Sequence, residues 1–311
     1  MELITTQKTE LTTTLKVEKL IGAFIADQDV KQSSKRLYKR TLKQYFNYLE
    51  RTSLQLDNIN RANILNYKES LLDSGMSSLT VGSYLTVVRK FYEWTEANKI
   101  YPNVAKGIKT PTRKQQFKKQ PLQALQAKAL LKHLKTTNKR DLAIVNLLLR
   151  TGLRTIEVVR ANIEDITFKG DKRVLLVHGK GRDEKDAFVI LTDKAYKPIE
   201  SYLEERGRVN SLEPLFTSTS NNNNGERLST RTISFIAKEA LKAIGLDNKS
   251  FTAHSLRHTT AVNILRAGGS LEMAQFTLRH TNPATTQIYT STLNEERRLQ
   301  NSGEALIDKI F

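Results

Sequence analysis

Thr151-Gly152-Leu153-Arg154-Thr155-Ile156-Glu157 separates two helical patterns. Upstream, Asp141 to Arg150 carries apolar residues at helical spacing, and Gly152 is placed to end that helix, because glycine enters the left-handed backbone of a C-cap without a Cβ penalty. A new helix begins around Thr155, so Arg154 lies at a helix junction. Glu157 follows three residues later, within pairing reach on a helix. Arg154 is thus either one half of a structural ion pair or an anion-binding group oriented by the carboxylate behind it, and the two roles are compatible.

Two basic clusters downstream give Arg154 company: His254-Ser255-Leu256-Arg257-His258 and Leu278-Arg279-His280, with Tyr289 beyond them. His254 and Arg257, three apart, share a helix face and can converge on one anion. An arginine suits a phosphodiester, since its planar fork makes paired, charge-assisted hydrogen bonds and keeps its proton near neutrality. Arg154 and Arg257 together can hold both non-bridging oxygens and offset the charge that develops in a pentacoordinate transition state. Tyrosine, with an ordinary pKa of about 10, needs positive potential or a base before it attacks phosphorus. Taken singly, each feature has a plainer reading: a capped basic helix start, or a half-buried aromatic.

Outward from these motifs the chain reads as mainly helical with a small sheet. Residues 15–103 form a string of four helices, with apolar positions such as Leu20, Ile21, Phe24 and Ile25, then Leu42, Tyr45, Phe46 and Leu49. Ser77-Ser78 reads as an N-cap for the segment carrying Leu85, Val88, Phe91 and Trp94. Pro102 stops that helix, and the stretch 105–121 reads as a basic linker, with Lys106, Lys109, Arg113, Lys114, Lys118 and Lys119 suited either to solvation or to a phosphate backbone. Further on, Arg173 to His178 and Ala187 to Leu191 are β-favouring segments around a glycine-containing turn with Lys180 at its start. Ser229 and Ser270 are placed to cap two later helices, and Gly268-Gly269 to end the one that starts at His254. The tail 291–311 contains Leu293, Leu299, Leu306, Ile307 and Ile310, enough for a short amphipathic helix.

Composition narrows the chemistry. The 311 residues allow two domains that each bury a core, and the absence of cysteine removes disulfides and thiolate ligands. A net charge of +18, split as +10 over residues 1–120 and +8 over the rest, favours a polyanionic partner for both halves. No stretch approaches the roughly 20 apolar residues of a membrane span, and a soluble, cytoplasmic protein is expected. Five histidines without a clustered carboxylate set argue against a two-metal nuclease.

The sequence Thr151-Gly152-Leu153-Arg154-Thr155-Ile156-Glu157, then His254-x-x-Arg257, then Leu278-x-His280 and Thr285-Thr286-x-x-Tyr289, resembles the tyrosine recombinase or phage integrase family in order and spacing. The resemblance implies a helical, SAM-like core-binding domain over 15–104 behind a polar tail, 1–14, and an α+β catalytic domain over 122–290. The two are expected to form a C-shaped clamp on double-stranded DNA. It also implies that Tyr289 forms a 3'-phosphotyrosyl bond and that Arg154 and Arg257 bind the phosphate. Lys180 would be the general acid for the leaving 5'-oxygen, His254 the acid/base partner of the tyrosine, His280 a donor to the phosphate and Glu157 a support, while His258 would serve packing. No metal or other cofactor is required, because the phosphodiester energy is stored in the covalent link. Protomers would assemble into a tetramer on paired sites, the tail docking on a neighbour, with an accessory factor or second recombinase as a further partner.

Two departures stand out. Arg279 replaces a glycine common in the family, and its cation is open to DNA or to solvent. The short amino-terminal segment leaves no room for an arm-binding domain, which suits a simple two-domain, Xer-like or mobile-element enzyme. A topoisomerase-like or telomere-resolving enzyme shares the same nucleophile, and a catalytically silent DNA-binding regulator shares the fold, although here each catalytic position is filled.

Overall fold

A computed structural model describes residues 16–112, 119–178, 184–207, 209–300, 302–308 and 310–311. The chain divides into two compact units, Met1–Gln116 and Phe117–Phe311.

In the first unit, helix α1 (16–26) is followed by α2 (Gln32–Arg51), α3 (Arg61–Asp73) and α4 (Ser78–Ala97). Asn60 and Ser77 cap α3 and α4 by accepting hydrogen bonds from the backbone N–H groups of Asn63 and Thr80, as the sequence leads one to expect for Ser77. The apolar stripes of the helices meet in a core rich in aromatic rings, among them Phe24, Tyr45, Tyr67 and Phe91. The buried hydroxyls of Tyr45 and Tyr92 satisfy each other at 2.8 Å. Ala105 and Ile108 are buried in the same core, so packing runs past residue 104 into the stretch read as a linker. Two apolar side chains on a basic background were too few to signal this.

The second unit is helical around a small sheet. Helices α5 (Ala124–Lys135), α6 (Lys139–Thr151) and α7 (Thr155–Arg160) precede the antiparallel strands β1 (Ile166–Lys169), β2 (Lys172–Val177) and β3 (Ala187–Ile190). The expected hairpin is β2–β3, in register Val177↔Ala187, and β1 adds a third strand on the other edge of β2. Helices α8 (Asp193–Arg206), α9 (Thr230–Ala243), α10 (Ala253–Arg266), α11 (Leu271–Leu278), α12 (Ala284–Gln300) and α13 (Gly303–Ile307) complete it. Ser229 and Ser270 cap α9 and α11.

Helix α8 has no clear sequence signature because Pro198 lies inside it. Proline leaves the carbonyl four residues earlier without its helical donor. Here that carbonyl, of Lys194, accepts a hydrogen bond at 2.9 Å from the side-chain amide of Asn146, a buried residue of α6. The deficit is repaired by tertiary packing, which local pattern does not reveal. The tail also differs from expectation: α12 starts before Tyr289 and continues to Gln300, so no break separates residue 290 from 291. Among the described residues no helix is long and apolar enough to cross a membrane.

Candidate active site

Gly152 closes α6 in the left-handed region, at φ +61°. A Cβ there would run into the side chain of Leu278 and press on Thr260, so the close approach of the end of α6 to α10 and the end of α11 depends on glycine. Gly152→Ala combines a strained φ with a steric overlap, and we expect a loss of about 2–4 kcal/mol, readable as a lower midpoint in thermal or urea melting. An unchanged midpoint would show that this junction is not tightly packed.

The turn made by Gly152 delivers Arg154 to the start of α7. Glu157, fully buried, reaches back to it twice: Oε2 accepts the Arg154 backbone N–H at 2.7 Å and Oε1 accepts from the guanidinium at 2.8 Å. The Arg154 side chain remains 25% exposed, and so reachable by a ligand.

Arg257 is positioned differently. Its side chain leaves the buried face of α10, is 2% exposed, and donates through its two terminal nitrogens to the carbonyls of Gly152 and Leu278. These are the carboxyl ends of α6 and α11, where helices leave carbonyls unpaired and where a cation is favoured. Burial, and then the neighbouring Arg154, push the Arg257 pKa down to about 9, so the guanidinium is still charged at neutral pH.

His280 follows the end of α11. Its Nδ1 lies 2.9 Å from the hydroxyl of Thr286, a fully buried residue of α12. Burial and the cations Arg257 and Arg154 lower its pKa to about 4, leaving a neutral ring at pH 7. With the Thr286 hydroxyl donating to Nδ1, the ring proton resides on Nε2, which is then a donor. Thr286 belongs to the Thr285-Thr286 pair in the sequence motif, but only the fold gives it this partner.

Tyr289 sits on the next turn of α12, 3% exposed, with its ring stacked near His280 at 6.2 Å between centroids and tilted against His258 at 4.8 Å. Burial raises its pKa, while Arg257 and Arg154 pull in the opposite direction. The phenol is therefore protonated at neutral pH and needs an acceptor for its proton. His254, on the first turn of α10, supplies an imidazole whose pKa is held below the ordinary value by desolvation of the ring and then by Arg257, Arg154 and Lys119. His258 is buried, and its Nδ1 donates to the Lys119 carbonyl at 3.0 Å, in keeping with a packing role.

The remaining sequence-derived residues fall into three groups. Lys180, Arg113, Lys114 and Lys118 lie outside the described residues. Lys106 and Lys109 are exposed, and the Lys119 ammonium donates to the carbonyl of Lys249. Arg279 is largely withdrawn from solvent: its guanidinium donates to Glu157 Oε2 at 2.9 Å and its side chain is 12% exposed. Among the described residues no metal-ligating cluster of three His, Asp or Glu side chains occurs.

Two arginines, two histidines and a phenol thus gather where α6, α7, α10, α11 and α12 meet. Residues 120–296 match the phage integrase family, and residues 21–99 match the N-terminal SAM-like domain of phage integrases. The chain belongs to the phage integrase family. It is accordingly a tyrosine recombinase, an enzyme of site-specific recombination. Among similar proteins, tyrosine recombinase XerD of Rickettsia conorii is 28% identical over 290 residues, covering 88% of this chain and 93% of that one. Tyrosine recombinase XerC of Caldanaerobacter subterraneus subsp. tengcongensis is 37% identical over 163 residues, covering 51% of this chain and 43% of that one. In fold, the family member resembles XerH site-specific recombinase bound to a palindromic difH substrate, with a TM-score of 0.72 at 20% identity, covering 88% of this chain and 80% of that one. It also resembles a lambda integrase dimer bound to a core site, with a TM-score of 0.66 at 17% identity, covering 86% and 96%.

Proposed function

We propose that this recombinase cleaves and rejoins double-stranded DNA through a covalent tyrosyl intermediate. The phenolic oxygen of Tyr289 attacks the scissile phosphorus and its proton passes to His254. Arg154 and Arg257 bear the charge that grows on the non-bridging oxygens, and His280, with its proton on Nε2, adds a neutral donor. As the bond to the 5'-oxygen breaks, Lys180, which falls in sequence between strands β2 and β3, donates the proton that this oxygen needs. The products are a 3'-phosphotyrosyl bond and a free 5'-hydroxyl. Reversal by a 5'-hydroxyl from a second duplex reseals the strand, and two such rounds pass through a Holliday junction.

The observation that carries this reading is the burial of Tyr289 beside His280 within the field of both arginines. Residues 122–290 would form the catalytic part, residues 15–104 the DNA-gripping part, and the exposed Lys106 and Lys109 would meet phosphates. A tetramer on paired sites would use the exposed apolar positions Leu306, Ile307 and Ile310 of the tail against a neighbouring protomer. Its place of work would be the cytoplasm, on a mobile element or in resolving replicon dimers, with an accessory factor or second recombinase as an added partner. Incubation with a nicked suicide duplex should yield a protein–DNA adduct that maps to the peptide containing Tyr289; an adduct on another residue, or none, would refute the scheme.

A pH profile tests the role of His254. A base whose pKa lies below the ordinary imidazole value of 6.5 loses function only as pH falls through that lowered value. Single-turnover adduct formation should therefore stay level from pH 7.5 to 6.5 and fall below it, a limb that His254→Gln removes. A limb centred above pH 6.5 would assign the step to another group.

A further inference from the structure

Arg279 ends α11 with a backbone φ of +55°, a conformation that glycine enters far more readily than arginine. The side chain gives a reason for the arginine. One terminal nitrogen donates to Glu157 Oε2 at 2.9 Å and the other to the Thr277 carbonyl at 2.7 Å. Its buried Nε has no hydrogen-bond partner among the described residues, so the group is held through its two terminal nitrogens. Glu157 is buried completely and also carries both contacts to Arg154. One carboxylate is thus shared by two guanidinium groups, Arg154 on Oε1 and Arg279 on Oε2.

We infer that Arg279 is a positioning residue of the active site: through Glu157 it fixes Arg154 and neutralises the carboxylate that would otherwise cancel Arg154's charge at the phosphate. The inference rests on the phosphoryl-transfer reading above. Arg154 and Glu157 alone make a pair of zero net charge, which offers little to an incoming anion; with Arg279 the triad carries one net positive charge, and Arg154 is the member left partly exposed. The protonation of Glu157 agrees with this. Burial alone would raise its pKa, yet Arg279 and then Arg154 hold it below the usual carboxylate range. Arg279 itself need not touch DNA.

The test is a double-mutant cycle in the full chain, read as single-turnover adduct formation on a nicked suicide duplex. Arg279→Met should slow the step about 10- to 100-fold while duplex affinity changes less than about 3-fold, and Arg279→Lys should recover most of the rate. In a Glu157→Gln background, where no carboxylate remains to neutralise, adding Arg279→Met should cost less than about 3-fold. Melting curves accompany each variant, and Arg279→Gly, which the left-handed backbone suits, replaces the Met variant if that one does not fold. A parental rate in Arg279→Met, or an equal loss with and without Glu157, would overturn the inference while the parental adduct upholds the reaction. Absence of adduct from the parental chain would overturn both.

Discussion

Tyr289→Phe is expected to abolish the covalent adduct while leaving the protein folded and bound to DNA. The substitution deletes one oxygen and no carbon, so the ring keeps its place against His258 and His280, where it is 3% exposed. Stability should change by no more than about 1–2 kcal/mol, the range for one buried hydroxyl. Chemistry is another matter: without the phenolic oxygen no bond to phosphorus can form, and neither arginine nor histidine nearby offers an oxygen in its place. Adduct yield should drop at least about 1,000-fold, measured on denaturing gels, with mobility-shift affinity near the parental value. An adduct of parental yield would place the nucleophile elsewhere.

Arg257→Ala carries the second large effect, because one side chain serves both structure and charge. Its guanidinium joins the carbonyls of Gly152 and Leu278, which end the helices leading to Arg154 and His280. Truncation leaves two buried carbonyls without their donor and opens a void where a large side chain was 2% exposed. We expect a loss of about 3–5 kcal/mol in urea melting. Adduct formation at a temperature where the variant remains folded should fall by about 100- to 1,000-fold or more, the scale for removing one transition-state donor. Arg257→Lys should recover little of either loss, since a single ammonium cannot reproduce the planar fork that spans two carbonyls. Full recovery by lysine would mean that charge alone matters at this position.

Much of this molecule was readable before folding because its signals are local. Gly152 as a helix stop, Ser77, Ser229 and Ser270 as caps, and the β2–β3 hairpin all depend on backbone preferences of a few adjacent residues. The order and spacing of Arg154, His254, Arg257, His280 and Tyr289 likewise lie in plain sequence and point to the family. Helix α8 was hidden because the donor that repairs Pro198 comes from Asn146, far away along the chain. The buried ends of the basic stretch at Ala105 and Ile108 were hidden for a similar reason, since packing partners decide burial.

The amino-acid order alone determined the chemical inventory: a charge of +18, no thiol, and a phenol, two histidines and two arginines in a diagnostic succession. The tertiary structure alone decided how each is held. Arg154 keeps a partly open face while Arg257 is drawn inside onto helix ends, and Arg279 turns from solvent to Glu157. The physical reason is that cationic side chains look alike in a sequence, whereas their roles follow from which carbonyls and carboxylates the packed helices leave unpaired within reach.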